Sequence, residues 1–405
     1  MARFVYEALD YKGRVVQGEV EAPTVDAVVS DLRKIRYTVT NVREVREPIA
    51  QVKAVLSRFE WVSIYALAVF TRQLAVLLHA GIPLLRAIDG LRKQTLNPRL
   101  TRAITEVHND LKAGYSLSKA LAKQPDVFNP IYVSMIRAGE MSGAMDELLN
   151  RLAALLEREF QLRKKVEAAL TYPIIVSIAC VSLCMFMVTY VFPTFVDLFK
   201  GIDVSMPAET RALILITKTL NDPTIMLPAL LGLGLMVVGL VHYFRAPIGR
   251  RQWSWLMLEL PLVGPVTKKV AMTRLCRTLG TLLVSGIPMM HALQITSHAV
   301  GNEVISDLLD EIQTEMSAGM SLSGQLIQHK IFPPMLVHMA KVGEETGNLH
   351  NMLHKLADFY DTEVEYALMT FTALLEPVLI GSLGLVVGFV LVAVFKPIYG
   401  LMSVF

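Results

Sequence analysis

A chain of 405 residues has room for two to four domains. Hydrophobic residues make up 53% of it and charged residues 19%, against about 25% charge in a soluble globular chain. These values exclude a disordered chain, a collagen and a disulfide scaffold, and they point to an integral membrane protein with large water-exposed parts. The 39 Lys+Arg against 36 Asp+Glu leave a net charge of +3, too even for a nucleic acid partner to be expected. Cys180, Cys184 and Cys276 have neither zinc nor redox-pair spacing and read as small apolar side chains.

In chain order, FVYEALDYKGRVVQGEVEA alternates around Lys12–Gly13, which predicts a hairpin. Thr24 to Ile35 predicts a short amphipathic helix opened by a threonine N-cap, and Val39 to Val45 a third strand. Residues 1–46 thus read as a small ββαβ module, followed by a linker over 47–60. Residues 61–168 read as a helical bundle. Leu67, Phe70, Leu74, Leu77 and Leu78 keep one helical face. Gly81 suits an αL cap and Pro83 the first turn of the next helix. Gly114 and Ser116 make another stop followed by an N-cap. Gly139 and Gly143 are expected to bracket a tight turn before a long helix carrying Leu148, Leu152, Leu155, Leu162 and Val166, with no breaker before Pro173.

Three apolar stretches follow: Ile174 to Phe192, Pro223 to Val241 and Pro377 to Phe395, each long enough for about 30 Å of hydrocarbon. They divide the rest of the chain into spans over 169–195, 223–244 and 373–397, an outer connection over 196–222, a second bundle over 245–372 and an outer tail over 398–405. In the connection, Ser205 to Glu209 resembles an N-cap, and 207–220 suits an amphipathic helix on the outer surface. Arg158, Arg163, Lys164 and Lys165 before the first span, and Arg245, Arg250 and Arg251 after the second, place both bundles on the cytoplasmic side. The first apolar run begins far from Met1, so no cleavable signal peptide is expected. Gly381, Gly384 and Gly388, like Gly232, Gly234 and Gly239, suit close helix packing in lipid; glycine is also simply common in membrane helices.

The organising feature is a duplication. LLHAGIPLLRAI (77–88) aligns with LLVSGIPMMHAL (282–293), and KAGYSLSKAL (112–121) with SAGMSLSGQL (317–326). AGEMSG (138–143) aligns with VGEETG (342–347), and ALTYPIIV (169–176) with ALLEPVLI (373–380). The separations are 205 residues (286 − 81) and 204 residues (343 − 139). Each copy is a bundle followed directly by a span.

GxxxxGK[ST], HExxH and GxSxG are all absent from the sequence, so no nucleotide site, catalytic centre, cofactor or metal is expected. His350 and His354 have a metal-compatible spacing without a matching carboxylate set, and read as a solvated helix face. Glu140 and Glu344 occupy equivalent places. Each suits either a carboxylate near a helix start or a contact for a partner's basic residues or a cation. Glu376, paired with Tyr172 in the other copy, stands at the edge of an apolar span. It reads either as an interfacial side chain or as a polar contact between spans or protomers.

These motifs carry a resemblance. FTRQLAVLLHAGIPLLRAI, TRLCRTLGTLLVSGIPMMHAL, KVEAALTYPIIV and KVGEETGNLHNMLHKLADFYDTEVEYALMTFTALLEPVLI resemble the inner-membrane platform proteins of type II secretion and type IV pilus assembly, the last one especially the pilus branch. The resemblance covers nearly the whole chain. It implies a mainly α fold with three membrane spans and two six-helix cytoplasmic bundles, and a non-enzymatic role in the bacterial inner membrane. The implied partners are a cytoplasmic hexameric ATPase, pilins or pseudopilins, other inner-membrane assembly proteins, lipid and further copies of the chain. Positions matching the family pattern are Gly81, Pro83, Gly139, Glu140, Gly143, Tyr172, Pro173 and Pro193, then Gly286, Pro288, Gly343, Glu344, Gly347, Glu376, Pro377 and Pro397. The chain departs from it at Arg36–Tyr37, where a glycine is common, and at His350, where an acidic residue is common. A secondary transporter would need polar groups at the midplane of broken helices, and a receptor a larger outer domain; neither is present.

Overall fold

The computed structural model describes residues 2–9, 15–22, 29–30, 37–44, 61–191, 193–194, 215, 217 and 223–402. Strands β1 (Ala2–Leu9), β2 (Val15–Ala22) and β3 (Thr38–Glu44) form an antiparallel sheet in the order β2-β1-β3. Pairing of Ala2 with Ala22 and Leu9 with Val15 sets the hairpin register, and a shift between Glu7 and Ala8 interrupts the β1–β3 ladder. Tyr6 lies over Gly18, where a Cβ would come within 2.7 Å of the phenol oxygen. The helix expected over 24–35 apart from Val29 and Ser30, which are helical, the linker over 47–60 and most of the connection over 196–222 lie outside the described residues.

The remainder is helical. Helices α1 (Ile64–His79), α2 (Leu84–Gln94), α3 (Pro98–Lys112), α4 (Leu117–Ala122), α5 (Pro130–Ser142) and α6 (Met145–Phe186) form the first repeat. A π turn over Met187–Val191 extends α6. Helix α7 (Pro223–Arg245) leads to α8 (Pro247–Glu259). The second repeat comprises α9 (Gly264–Val284), α10 (Met289–Ala299), α11 (Glu303–Ser317), α12 (Leu322–Leu326), α13 (Pro334–Glu345) and α14 (Leu349–Met402).

Sequence explains the boundaries. Ser63 caps α1 by accepting the Ala66 N–H at 3.1 Å, and Asn129 caps α5 through Tyr132 at 2.9 Å. Helix α1 ends in a Schellman turn: Gly81 (φ 78) donates to the Leu78 carbonyl and Ile82 to that of Leu77. The same pair of bonds runs from Gly286 and Ile287 to Leu283 and Leu282. Pro83 and Pro288 stand one position earlier than expected. They are the N-cap residues of α2 and α10, and their carbonyls accept from Ala87 and Ala292.

In each copy the sixth helix packs along the first, with Phe70 and Leu74 buried on α1, Leu149 and Leu152 on α6, Leu275 and Leu279 on α9, and Leu353 and Leu356 on α14. Tyr132 is buried at the centre of the first copy, where its hydroxyl is 3.0 Å from Thr71 Oγ1. The copies meet where Leu162 and Val166 of α6 join Val364 and Leu368 of α14 and Val266 and Val270 of α9.

Among the described residues two segments, Met145–Val191 and Leu349–Ala393, are long and apolar enough to cross a membrane. Their apolar side chains are uncovered, with Val181 66% and Leu385 73% exposed, whereas the core helix of a soluble protein would bury them. Proline does not end either helix. Pro173 lies within α6 and Pro377 within α14, so the carbonyls of Ala169 and Ala373 lose their usual partners while the helices continue.

Candidate functional site: paired carboxylate anchors and the helices leaving each bundle

Gly139 and Glu140 do not lie in a turn, as the sequence spacing predicts. They sit inside the last turns of α5, as Gly343 and Glu344 do in α13. The chain reverses only at Gly143 (φ 72) and Gly347 (φ 66). Gly139 and Gly343 are needed for closeness instead. A Cβ on Gly139 would lie 3.2 Å from the Cα of Met145, and one on Gly343 2.6 Å from that of Leu349. Each glycine therefore lets the fifth helix touch the first residue of the sixth.

That approach aims the neighbouring carboxylate at the short fourth helix. Glu140 Oε1 accepts the Ser118 backbone N–H at 3.2 Å, and Oε2 accepts the Ser118 hydroxyl. Glu344 Oε1 accepts the Leu322 N–H at 2.6 Å, while Oε2 accepts the Ser323 N–H at 3.2 Å and its hydroxyl. A carboxylate at this point satisfies donors that a helix start leaves unpaired and meets the positive end of its dipole. Both carboxylates are half-buried and engaged within the chain.

The remaining family-pattern residues separate into two groups. Tyr172 and Glu376 are exposed at the beginning of the apolar segments, Pro173 is buried beside Tyr172, and Pro377 is exposed. Pro193 follows the π turn and Pro397 lies within α14. These residues do not converge with the Glu140 or Glu344 anchors.

Charged pairs tie the sixth helix of each copy to the first. Arg72 grips Glu157 with two bonds of 2.9 and 2.7 Å and reaches Asn150 Oδ1 at 3.1 Å. Hydrogen bonding to Arg72 holds the Glu157 carboxyl below the usual carboxylate range. The repeat equivalent, Arg277, pairs with Asp361 at 2.6 Å and Asp358 at 2.9 Å. Burial, then the Arg277 charge, holds His354 below the usual imidazole range, and burial pushes the Cys276 thiol up. Among the described residues no group of three His, Cys, Asp or Glu is assembled for a metal ion. Other pairs cross between the copies: Arg274 with Glu159 at 2.6 Å, Lys165 with Glu365, and the Arg151 guanidinium with the Val284 carbonyl. Beside them lies a cleft of about 420 Å³, walled by Leu162, Val166 and Leu170 of α6, Val266 and Val270 of α9, and Leu368 of α14.

Sequence reasoning missed these pairs, although a signal existed. Arg72 and Arg277, and Ser118 and Ser323, keep the repeat separation of 205 residues (277 − 72 and 323 − 118).

The geometry defines a class: two copies of one helical unit, each handing its last helix to an apolar segment. The family model described as type II secretion system (T2SS), protein F, matches residues 70–193 and again 275–397, and its N-terminal domain model matches 1–43. The chain belongs to this family. It is 34% identical over 400 residues to a type IV pilus assembly protein PilC of Myxococcus xanthus, covering 99% of this chain and 95% of the relative. It is 36% identical over 400 residues to the protein of that name from Thermus thermophilus, covering 98% of each. It is 32% identical over 405 residues to a type II secretion system protein F of Vibrio cholerae, again covering 98% of each.

Proposed function

We propose that the protein is an inner-membrane platform that couples a cytoplasmic assembly ATPase to the extraction and polymerisation of pilin-like subunits in type IV pilus assembly. In this reading the spans lie over 169–195, 223–244 and 373–397, and the bundles over 61–168 and 245–372 face the cytoplasm. The chain is not itself an enzyme. The ATPase consumes ATP, and the bundles receive its motion. Several copies of the chain act together with pilins and other inner-membrane assembly proteins.

One observation carries this reading: in both repeats a single unbroken helix leaves the bundle and becomes the apolar segment, α6 into Val191 and α14 into Ala393. A continuous helix carries a push or a rotation along its axis because its turns are hydrogen-bonded one to the next, and the helical path continues through Pro173 and Pro377 although each leaves one such bond unmade. The inter-repeat pairs and the shared Leu162–Val364–Leu368 core make the two helices move as one lever. The gene-replacement test is an insertion of four glycines between Lys164 and Lys165. We expect the ATPase to co-purify as before and fibre assembly to be lost. Normal assembly with the helix interrupted would end the lever reading.

A second reading keeps the same role in type II protein secretion, favoured by the 32% identity to the Vibrio cholerae protein over the full chain. Co-purification with a major pilin or with secretion pseudopilins separates the two.

A further inference from the structure

Helix α8 has no counterpart among the described residues of the first repeat. One residue, Ala246, separates it from α7, and its N–H still bonds the α7 carbonyls of His242 and Tyr243 at 3.3 and 3.1 Å. Helix α8 therefore starts where α7 stops. Its inner side is fastened to the second bundle. Ser254 is buried; its carbonyl accepts from Asn302 Nδ2 at 3.1 Å and its hydroxyl from the Glu303 N–H at 3.2 Å. Arg250 and Arg251 turn toward Glu303 and Asp307, at 3.9 and 3.3 Å.

The outer side is uncovered and largely apolar, with Gln252 and Glu259 exposed among its apolar residues. Ile248 is 70% exposed, Trp255 56%, Trp253 43% and Leu256 41%. Trp253 stands against Phe244 at the end of α7, with ring centroids 4.9 Å apart, so this surface continues directly onto α7. There the neighbouring side chains, Leu235, Val238 and Val241, are exposed as well. Tryptophan pairs a broad apolar ring with one N–H donor, the combination that settles at lipid headgroup level. A helix with Trp and Leu on one side and Arg on the polar side, as α8 has with Arg250 and Arg251, lies in the interface plane. Continuity with α7 decides which occupant covers this side.

We propose that α8 is an interfacial helix whose Ile248, Trp253, Trp255 and Leu256 side is seated at the boundary of lipid headgroups and acyl chains, at the cytoplasmic end of α7. The inference rests on α7 spanning the membrane. Through the Ser254–Asn302 bond it moors the second bundle flat against the bilayer.

The sequence makes this testable, because Trp61, Trp253 and Trp255 are its only tryptophans. The full chain carrying Trp61→Phe, in phosphatidylcholine vesicles, reports on α8 alone. We expect lipids brominated near the carbonyl end of the acyl chain to lower its emission about two-fold, and aqueous iodide to have little effect, as a helix buried about 5–10 Å into the interface requires. Quenching by iodide without quenching by bromolipid would overturn the proposal by placing α8 in water. Protection from both would overturn it in favour of a second copy or another protein on this side. Leu235→Trp, in a chain with phenylalanine at 61, 253 and 255, reports on α7. Its emission should fall with bromine near the acyl end. Failure at 235 removes the spanning reading of α7, whereas failure at 253 and 255 alone removes only the interfacial one.

Discussion

Glu344 closes the start of a helix that lies some twenty residues upstream, taking the Ser323 N–H at 3.2 Å while its other oxygen takes the Leu322 N–H at 2.6 Å. Glu140 does the same for Ser118 with one backbone bond fewer. Hydrogen bonds to a charged group are worth about 1.5–3 kcal/mol. Glu140→Ala and Glu344→Ala should each lower the melting temperature of the detergent-solubilised chain, Glu344→Ala by more. Adding Ser118→Ala to Glu140→Ala should cost less than the two single losses combined. Additive losses would show that Ser118 and Glu140 do not act together.

The close approaches at Gly139 and Gly343 are unequal. Alanine at 343 meets backbone at 2.6 Å and alanine at 139 at 3.2 Å. Overpacking costs about 1–3 kcal/mol. Gly343→Ala should fall near the upper end and Gly139→Ala near the lower, as thermal or denaturant unfolding of the purified chain can measure.

Glu157 supplies a pH dependence. Its folded pKa is depressed by Arg72, so the stabilisation is present above the ordinary carboxylate pKa and is lost as pH falls through the lower folded value. Melting temperature should decline on acidification below about pH 4.3, the unfolded value. Arg72→Gln should flatten that decline and leave the curve at neutral pH nearly parallel. Both partners are over a third exposed, so the effect is screened by salt. An unchanged acid limb in Arg72→Gln would assign it to other carboxylates.

Arg274 and Glu159 join the two copies. Charge reversal at either, Arg274→Glu or Glu159→Arg, should destabilise the chain. The double swap should recover part of the loss, with a coupling of about 0.5–3 kcal/mol by a double-mutant cycle. A coupling of zero would mean that the pair does not hold the copies together.

Much of this organisation is legible in the sequence alone. The glycine stops at 81, 114 and 286, the serine cap at 116 and the paired repeats depend on local chemistry, and short-range pattern encodes local chemistry. The long helices were legible too, since nothing in Met145–Phe186 interrupts apolar spacing except Pro173. The GE motif was misplaced for a physical reason. Glycine beside a polar residue suits a turn, and only the packed structure reveals that Gly139 serves the close crossing of α5 and α6. The target of Glu140 was hidden likewise, because a side-chain bond across 22 residues leaves no local periodicity. The apolar residues of α8 make no clear period in the sequence, because Arg250, Arg251, Gln252 and Glu259 are interleaved with Ile248, Trp253, Trp255 and Leu256.

The unbroken run of α14 from Leu349 to Met402 also has a geometric consequence. An α-helix turns about 100° and advances about 1.5 Å per residue. Adding one residue between Tyr366 and Pro377 would barely lengthen the chain, yet it would swing every side chain beyond it through more than a quarter of a circle. Glu376 and the glycines at 381, 384 and 388 thus have a compass bearing set by Arg277 and Asp361, one turn of helix after another. The lengths tolerated here should come in steps of whole turns.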